Sequence, residues 1–442
     1  MLFSKRDLYK LIIPLIIEQV LAVTIGMADT MMVSSVGEAA VSGISLVDTI
    51  NNLCIQVFSA LATGGAVVSS QYLGRKDAFS ACTAAKQLIY SVTAISSVIM
   101  LIALTGQKAL LRLIFGSIEE NVMTHAETYF WLSALSYPFL GVYNSGAALF
   151  RSMGNSKISM FSSILMNAIN IGGNALTIFV FHWGVFGAGL STLVSRATGA
   201  VIMMILLHHK NNPIHIEKML KFEFRPGMVK NILRIGVPNG MENGMFQVGK
   251  LMVQSLVATF GTTAITANAV AGNLSGLSTI PGAAIGLAMI TVVGQCVGAN
   301  DYDQARKYIR KLMIITYVSV GALNIVMFFL SQPLAGLYNL TPETQNITSN
   351  LIRMYNLACI VIWPASFTLP NAFRAANDVR FTMLVSIISM WTSRIGCSYL
   401  FALTFGLGVY GVWIAMFADW VVRAALFLWR LYSGRWKKKQ YI

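Results

Sequence analysis

The chain has 442 residues, of which 56% are hydrophobic and only 11% are charged, whereas a soluble domain carries roughly 25% charged residues. Charges this scarce do not cover a water-facing surface, so the composition excludes a soluble globular protein. In a soluble chain, a net charge of +15 would suggest nucleic acid. Here the basic residues lie between apolar runs, so we expect a lipid bilayer and no nucleic acid as partner.

Apolar runs separated by charged residues predict twelve membrane spans. Each is long enough to cross a hydrocarbon core roughly 30 Å thick. In chain order the predicted spans are 11–33, 41–68, 87–106, 125–148, 159–181, 187–207, 232–259, 264–293, 312–330, 351–372, 381–405 and 409–429. The sequence therefore predicts an all-α integral membrane protein.

Basic residues accumulate in alternate loops between the predicted spans. One side holds Lys5, Arg6, Lys10, Arg75, Lys76, Lys86, Arg151, Lys157, the basic residues of 210–234 and 306–311, Arg374, Arg380 and those of 430–439. The opposite loops hold only Lys108, Arg112 and Arg353. Because cytoplasmic loops carry the excess of Lys and Arg, we expect both termini on the cytoplasmic side of a bacterial plasma membrane.

The second half of the chain repeats the first with an offset of about 224 residues. Matching pairs include Pro14 and Pro238, Glu18 and Glu242, Gln71 and Gln295, Asp77 and Asp301, and the turns 184–187 and 408–411. Six spans in each half place the repeats in parallel around an axis along the membrane normal. We predict an N-lobe over 1–209, a cytoplasmic linker over 210–231, a C-lobe over 232–442, and a central cleft that opens to alternate sides.

Polar residues of spans 1, 5 and 6 are predicted to meet in the outer half of the N-lobe. Asp29 lies 19 residues beyond Lys10, about 28 Å along a helix. Asn170 and Asn174 share one face of span 5, and Thr192 starts span 6 at a similar depth. These oxygens suit Na⁺, and a buried carboxyl is equally able to carry a proton. Interhelical amide bonding is the structural alternative.

Three further charged residues are candidates for a substrate cleft. Glu18 and Glu242 occupy equivalent places in the two halves and could attract cationic substrates, or form a gate or an interlobe contact. Lys250 lies near the middle of span 7, too deep to reach either surface comfortably. Arg394 and Asp419 fall at similar depth on spans 11 and 12 and predict an ion pair.

Five short segments carry a family pattern: Ala28-Asp29-Thr30-Met31-Met32-Val33, Gln71-Tyr72-Leu73-Gly74-Arg75, Gly187-Ala188-Gly189-Leu190-Ser191-Thr192, Gln254 to Gly261, and Gln295-Cys296-Val297-Gly298-Ala299. In this order and at these spacings they resemble the multidrug and toxic compound extrusion (MATE) family over nearly the whole chain. The resemblance implies a secondary antiporter that exports organic, often cationic or amphipathic, compounds as H⁺ or Na⁺ moves inward.

The resemblance also implies that the N-lobe cation site falls on Asp29, Asn170 and Thr192. Asn174 stands where DinF-type members carry a second acid, which leaves one carboxylate and keeps H⁺ and Na⁺ equally open. Apart from a possible Na⁺ at these four residues, we expect no metal and no cofactor.

Two other functions compete with export. A lipid-linked saccharide flippase has the same two-lobed plan and predicts a basic cleft for pyrophosphate. A membrane enzyme would need a His, Ser or Cys constellation inside a span, which the sequence lacks, so we expect no enzymatic activity. We expect a monomeric transporter of small organic substrates.

Overall fold

The computed structural model describes residues 2–438. Met1 of the predicted N-lobe and residues 439–442 of the predicted C-lobe, which include the basic Lys439, lie outside the described residues. The described chain is almost entirely helical and contains no strand. Its helices group into twelve spans in the predicted order, which confirms the all-α prediction. Eight helices are long and apolar enough to cross a membrane on their own, and a further pair qualifies together across a 65° bend.

The first six spans run from Lys5 to Leu207 and contain two internal breaks. Their helices are Lys5–Ser34, Glu38–Gly74, Ala78–Phe115, Glu120–Leu135 with Tyr137–Ser152, Ser156–Asn174 with the π-helical turn Ala175–Val180, and Gly184–Leu207. Span 4 breaks at Ser136, where Pro138 follows in the first turn of the second helix. Proline suits that position because the N–H it lacks would have no helical partner there.

The last six spans contain more breaks than the first six. Their helices are Pro226–Ala258, Thr262–Leu277 with Ile280–Gly298, Tyr302–Phe329 with Ser331–Gly336, Pro342–Val361 with Pro364–Thr368 and Pro370–Ala375, Val379–Ser389 with Met390–Gly396, Cys397–Tyr399 and Leu400–Thr404, and Val409–Tyr432. Span 10 bends by 65° next to Pro364, as expected where proline removes a helical hydrogen bond.

The sequence repeat is visible in local structure. Asp77 and Asp301 cap spans 3 and 9, because each carboxylate accepts a hydrogen bond from a backbone N–H three residues on, at 3.0 and 2.9 Å. Spans 5 and 11 both end in a π-helical turn. Gly187 and Gly411 pack against these turns so closely that an added Cβ would lie 2.7 Å from atoms of Thr177 or Ala402. Both lobes therefore need glycine at this position.

The described chain packs as two compact units that divide within span 7. One unit is Lys5–Gly240, and the other starts at Met241 and includes residues 2–4. Span 7 begins at Pro226, so the predicted linker, 210–231, is too long at its C-terminal end. The first part of span 7 lies against span 2, since a Cβ on Gly64 would be 2.6 Å from the Ile232 carbonyl oxygen. For this reason the start of the predicted C-lobe packs with the first unit.

The two units have different apolar cores. The core of the first unit is mainly aliphatic and includes the buried aromatic side chains Phe58, Phe130 and Tyr137. The core of the second unit is built on large aromatic side chains, among them Tyr355, Trp413 and Trp420. This aromatic cluster borders a cavity described below.

Candidate functional site

The first unit contains a cavity of about 450 Å³ between spans 1, 2, 4, 5 and 6. All four predicted cation-site residues line this cavity: Asp29, Asn170, Asn174 and Thr192. Its volume falls in the range of small-ligand sites, roughly 300–1,000 Å³. The convergence that helix depth predicts from the sequence is thus present in the fold.

A chain of hydrogen bonds joins these four side chains. The Asn174 amide nitrogen donates to the Asp29 carboxylate and, at 3.2 Å, to the Asn170 amide oxygen. Asn170 in turn donates to the Thr192 hydroxyl oxygen at 3.3 Å, and Thr192 donates to the Ala188 carbonyl at 3.1 Å. Spans 1, 5 and 6 are therefore connected through side chains alone, and the carboxylate of span 1 is held by the amide of span 5.

Asn174 has one buried oxygen left over in this chain of bonds. The residue is 1% exposed, and in the described part of the chain its Oδ1 has no hydrogen-bond partner. An unsatisfied buried acceptor costs about 1–3 kcal/mol. A carboxylate, two amide oxygens and a hydroxyl are the ligands that a hard cation prefers. The residues present therefore fit Na⁺, which would satisfy the free oxygen.

Two charged residues that the sequence reasoning did not assign to the cation site also line the cavity, namely Asp48 of span 2 and Arg196 of span 6. Asn51 donates to the Asp48 carboxylate at 3.2 Å, and Arg196 donates to the Ser136 hydroxyl at 2.7 Å. The expectation of one isolated carboxylate is wrong, because span 2 supplies a second. The spacing held one signal: Arg196 lies four residues after Thr192 and so shares its helical face.

Glu18 and Glu242 are each paired with an arginine of their own unit. Glu18 lies 3.7 Å from Arg151 and accepts a hydrogen bond from Ser159 at 2.9 Å. Glu242 lies 2.8 Å from Arg374 and accepts from a span 11 serine at 2.6 Å. Neither acid lines the cavity of its unit. Because the arginines neutralise these carboxylates, the predicted role of attracting cationic substrates does not fit them.

The second unit has its own cavity of about 430 Å³, which Lys250 and Arg394 both line. The predicted ion pair between Arg394 and Asp419 is wrong. Asp419 instead binds Arg423, one helical turn away, at 3.0 Å, and accepts a hydrogen bond from Ser389. Side chains four residues apart on one helix are already neighbours. The pair Asp419–Arg423 within span 12 is therefore favoured over the pair Asp419–Arg394 between two spans.

Known proteins with similar sequences or folds are membrane transporters. The MatE family model matches residues 14–176 and 238–400, one copy in each half. A Bacillus subtilis protein named "Uncharacterized transporter YisQ" is 29% identical over 98% of this chain and 95% of its own length. A Thermotoga maritima protein named "Probable multidrug resistance protein NorM" is 26% identical over 98% and 94% of the two chains.

A solved structure shares the fold along nearly the whole chain. Its title describes the outward-facing conformation of a multidrug resistance MATE family transporter, and it superimposes with a TM-score of 0.91 at 20% identity, covering 98% of this chain and 97% of that one. The two family matches start at residues 14 and 238, the same positions as the repeated prolines. Two six-span halves, the shared fold and a family model matched in both halves lead to one conclusion: this multi-pass membrane protein belongs to the MatE family of transporters.

Proposed function

We propose that the protein is a secondary active antiporter that exports organic, cationic or amphipathic compounds in exchange for H⁺ or Na⁺ by alternating access. The names of similar proteins support multidrug export. The observation that carries the proposal is the Asp29 carboxylate, held by Asn174 beside an unpartnered amide oxygen in the N-lobe cavity.

Uptake of either cation at Asp29 would change the contact between spans 1 and 5. A proton would turn one carboxylate oxygen from an acceptor into a donor, so that the bond from the Asn174 amide would weaken. Sodium would instead draw the carboxylate and the free Asn174 oxygen onto itself. Both ions thus act on the same side-chain link, and each elementary charge that crosses the membrane gains roughly 2.3 kcal/mol per 100 mV.

The orientation of the chain belongs to the same proposal. The basic loops favour an orientation in which both termini lie on the cytoplasmic side of the plasma membrane. In that orientation the predicted depth of Asp29 places its cavity in the outer half of the N-lobe. The coupling cation would then enter this site from outside, and substrate would leave in a different step of the transport cycle.

A lipid-linked saccharide flippase is the second candidate. One observation favours it, because Lys250 and Arg394 line a single cavity, as a pyrophosphate group would require. The aromatic walls of that cavity are less suited to a sugar pyrophosphate than to a planar apolar group, so we place export first.

Dye efflux from proteoliposomes tests the proposal. Ethidium efflux is measured under an imposed Na⁺ gradient and, separately, an imposed pH gradient. We expect one gradient to accelerate efflux and Asp29→Asn to abolish that acceleration. Asp303→Asn is the matched control, since its side chain is 91% exposed. Efflux that responds to neither gradient, or an Asp29→Asn variant equal to the parent, would contradict the proposal.

A further inference from the structure

We propose that the cavity of the second unit binds a small aromatic anion, a carboxylate or sulfonate carried on a planar ring system. The site involves residues of spans 7, 8, 10, 11 and 12 and none of the cation-site residues. It therefore goes beyond the proposed function and stands independently of Asp29.

Positive charge is in excess around this cavity. Three cationic groups surround the ring of Phe246, with Lys250 Nζ, Arg394 Cζ and Arg423 Cζ at 6.0, 5.3 and 5.5 Å from its centroid. Asp419 neutralises Arg423 at 3.0 Å. Lys250 and Arg394 have no salt bridge to any acid of residues 2–438, and no Asp or Glu from these residues lines the cavity. The cavity thus presents two positive charges that have no salt-bridge partner among these residues.

Hydrogen-bond donors at the cavity are also unused. Trp420 is 2% exposed, and its indole N–H has no partner among the described residues. The Nε–H of Arg394 is likewise buried and unpartnered. By contrast, the indole of Trp413 donates to Asn268 at 2.8 Å. Buried donors are normally satisfied, and an anionic oxygen is the acceptor that forms the strongest bonds with such groups.

Aromatic side chains form the remaining walls. Trp363 stacks on Phe367 with ring centroids 5.3 Å apart and planes 22° from parallel. Phe367 contacts Trp420, which contacts Tyr355, at centroid distances of 5.9 and 5.1 Å. Flat rings of this kind favour stacked or edge-to-face contact with another aromatic group. The walls therefore select a planar ring, and the cations select its charge.

A cationic ligand fits this cavity less well, although aromatic rings attract cations. The face of Phe246 is already approached by the protein's own cations. An additional positive charge would meet Lys250 and Arg394 at close range, where repulsion between like charges is substantial even at intermediate dielectric. The volume of about 430 Å³ accommodates a two-ring compound rather than a polymer.

Binding to the purified full-length protein in lipid nanodiscs tests the inference. Naphthalene-2-sulfonate is titrated by calorimetry and by quenching of tryptophan fluorescence, which reports on the site because three of the eight tryptophans line it. The comparison ligands are the equally sized cation trimethyl(2-naphthyl)ammonium and inorganic pyrophosphate. The variants are Lys250→Gln, Lys250→Arg and the exposed control Lys108→Gln.

We expect the sulfonate to bind at least about tenfold more tightly than the cation, a difference of about 1.4 kcal/mol. Lys250→Gln should lose about tenfold in affinity, whereas Lys250→Arg and Lys108→Gln should bind like the parent. Cation binding equal to or tighter than sulfonate binding would overturn the inference. Pyrophosphate binding as tight as that of the sulfonate would also overturn it and would favour a phosphate-linked ligand.

The Asp29→Asn variant separates this inference from the proposed function. Because Asp29 lies in the other compact unit, the variant should bind naphthalene-2-sulfonate with the parental affinity while it loses cation-driven dye efflux. Loss of sulfonate binding in Asp29→Asn would contradict the independence of the two sites.

Discussion

Replacing Asp419 with asparagine should destabilise the second unit strongly. Asp419 is fully buried and holds the Arg423 guanidinium, whose side chain is only 4% exposed. Asparagine keeps the volume and a hydrogen-bonding oxygen but removes the negative charge. Arg423 would retain a hydrogen bond to the Ser386 carbonyl at 3.2 Å and would be left as a buried cation without a counter-ion.

The expected cost follows from that loss of charge compensation. Removing one partner of a buried ion pair costs about 3–5 kcal/mol, whereas replacing both partners by apolar groups is often nearly neutral. The double variant Asp419→Asn/Arg423→Met should therefore recover at least about 2 kcal/mol of the loss. Coupling of this size exceeds that of ordinary interhelical hydrogen bonds in membranes, about 0.6 kcal/mol.

Thermal unfolding in detergent measures this effect through the buried thiols Cys296 and Cys359, both 0% exposed. A maleimide dye that fluoresces on reaction with thiols reports their exposure. We expect a large drop in Tm for Asp419→Asn and partial recovery in the double variant. The single variant Arg423→Met completes the comparison. If the decreases in Tm of Asp419→Asn and Arg423→Met simply add in the double variant, the assignment of this ion pair is wrong.

Three further predictions concern the repeated parts of the fold, each followed as Tm. Glu242→Gln should lower Tm more than Glu18→Gln, because the Glu242 salt bridge is 2.8 Å long and that of Glu18 is 3.7 Å; equal shifts would contradict this. Gly411→Ala should be destabilising, because its Cβ would meet backbone atoms at 2.7 Å, whereas Gly172→Ala, with nothing within 4 Å, should not. The hydrogen bond from the Gln304 backbone N–H lowers the pKa of Asp301 below its ordinary 3.8. Asp301→Ala should therefore lower Tm by its largest amount above pH 3.8, and by less as the pH falls below 3.8. A decrease in Tm that becomes larger in acid would refute the cap.

The twelve spans and the N-lobe site could be predicted because they depend on regularities along the chain. Apolar runs fix the spans, and the rise per residue fixes how deep Asp29 and Asn174 lie. Their direct hydrogen bond follows from this shared depth. The repeat likewise predicts that Asp77 and Asp301 hold equivalent places, which the structure shows to be the starts of spans 3 and 9.

Other features depend on which helix faces meet, and the sequence does not specify this. Asp48 shares a cavity with Asp29 only because of how span 2 is rotated against span 1. Asp419 forms its ion pair with Arg423 and not with Arg394, because Arg423 is a neighbour on the same helix whereas Arg394 lies on another helix. The division of the units inside span 7 reflects tight glycine packing, which leaves no break in the apolar pattern.

The most direct test of the account measures ion flux and dye efflux in the same proteoliposomes. Inward movement of H⁺ or Na⁺ is recorded with an internal pH dye and with radioactive sodium while ethidium leaves. The account predicts that one ion enters as dye leaves and that Asp29→Asn removes both the ion flux and the accelerated efflux. Ion-coupled efflux that continues unchanged in Asp29→Asn would contradict the central claim that this carboxylate takes up the coupling cation.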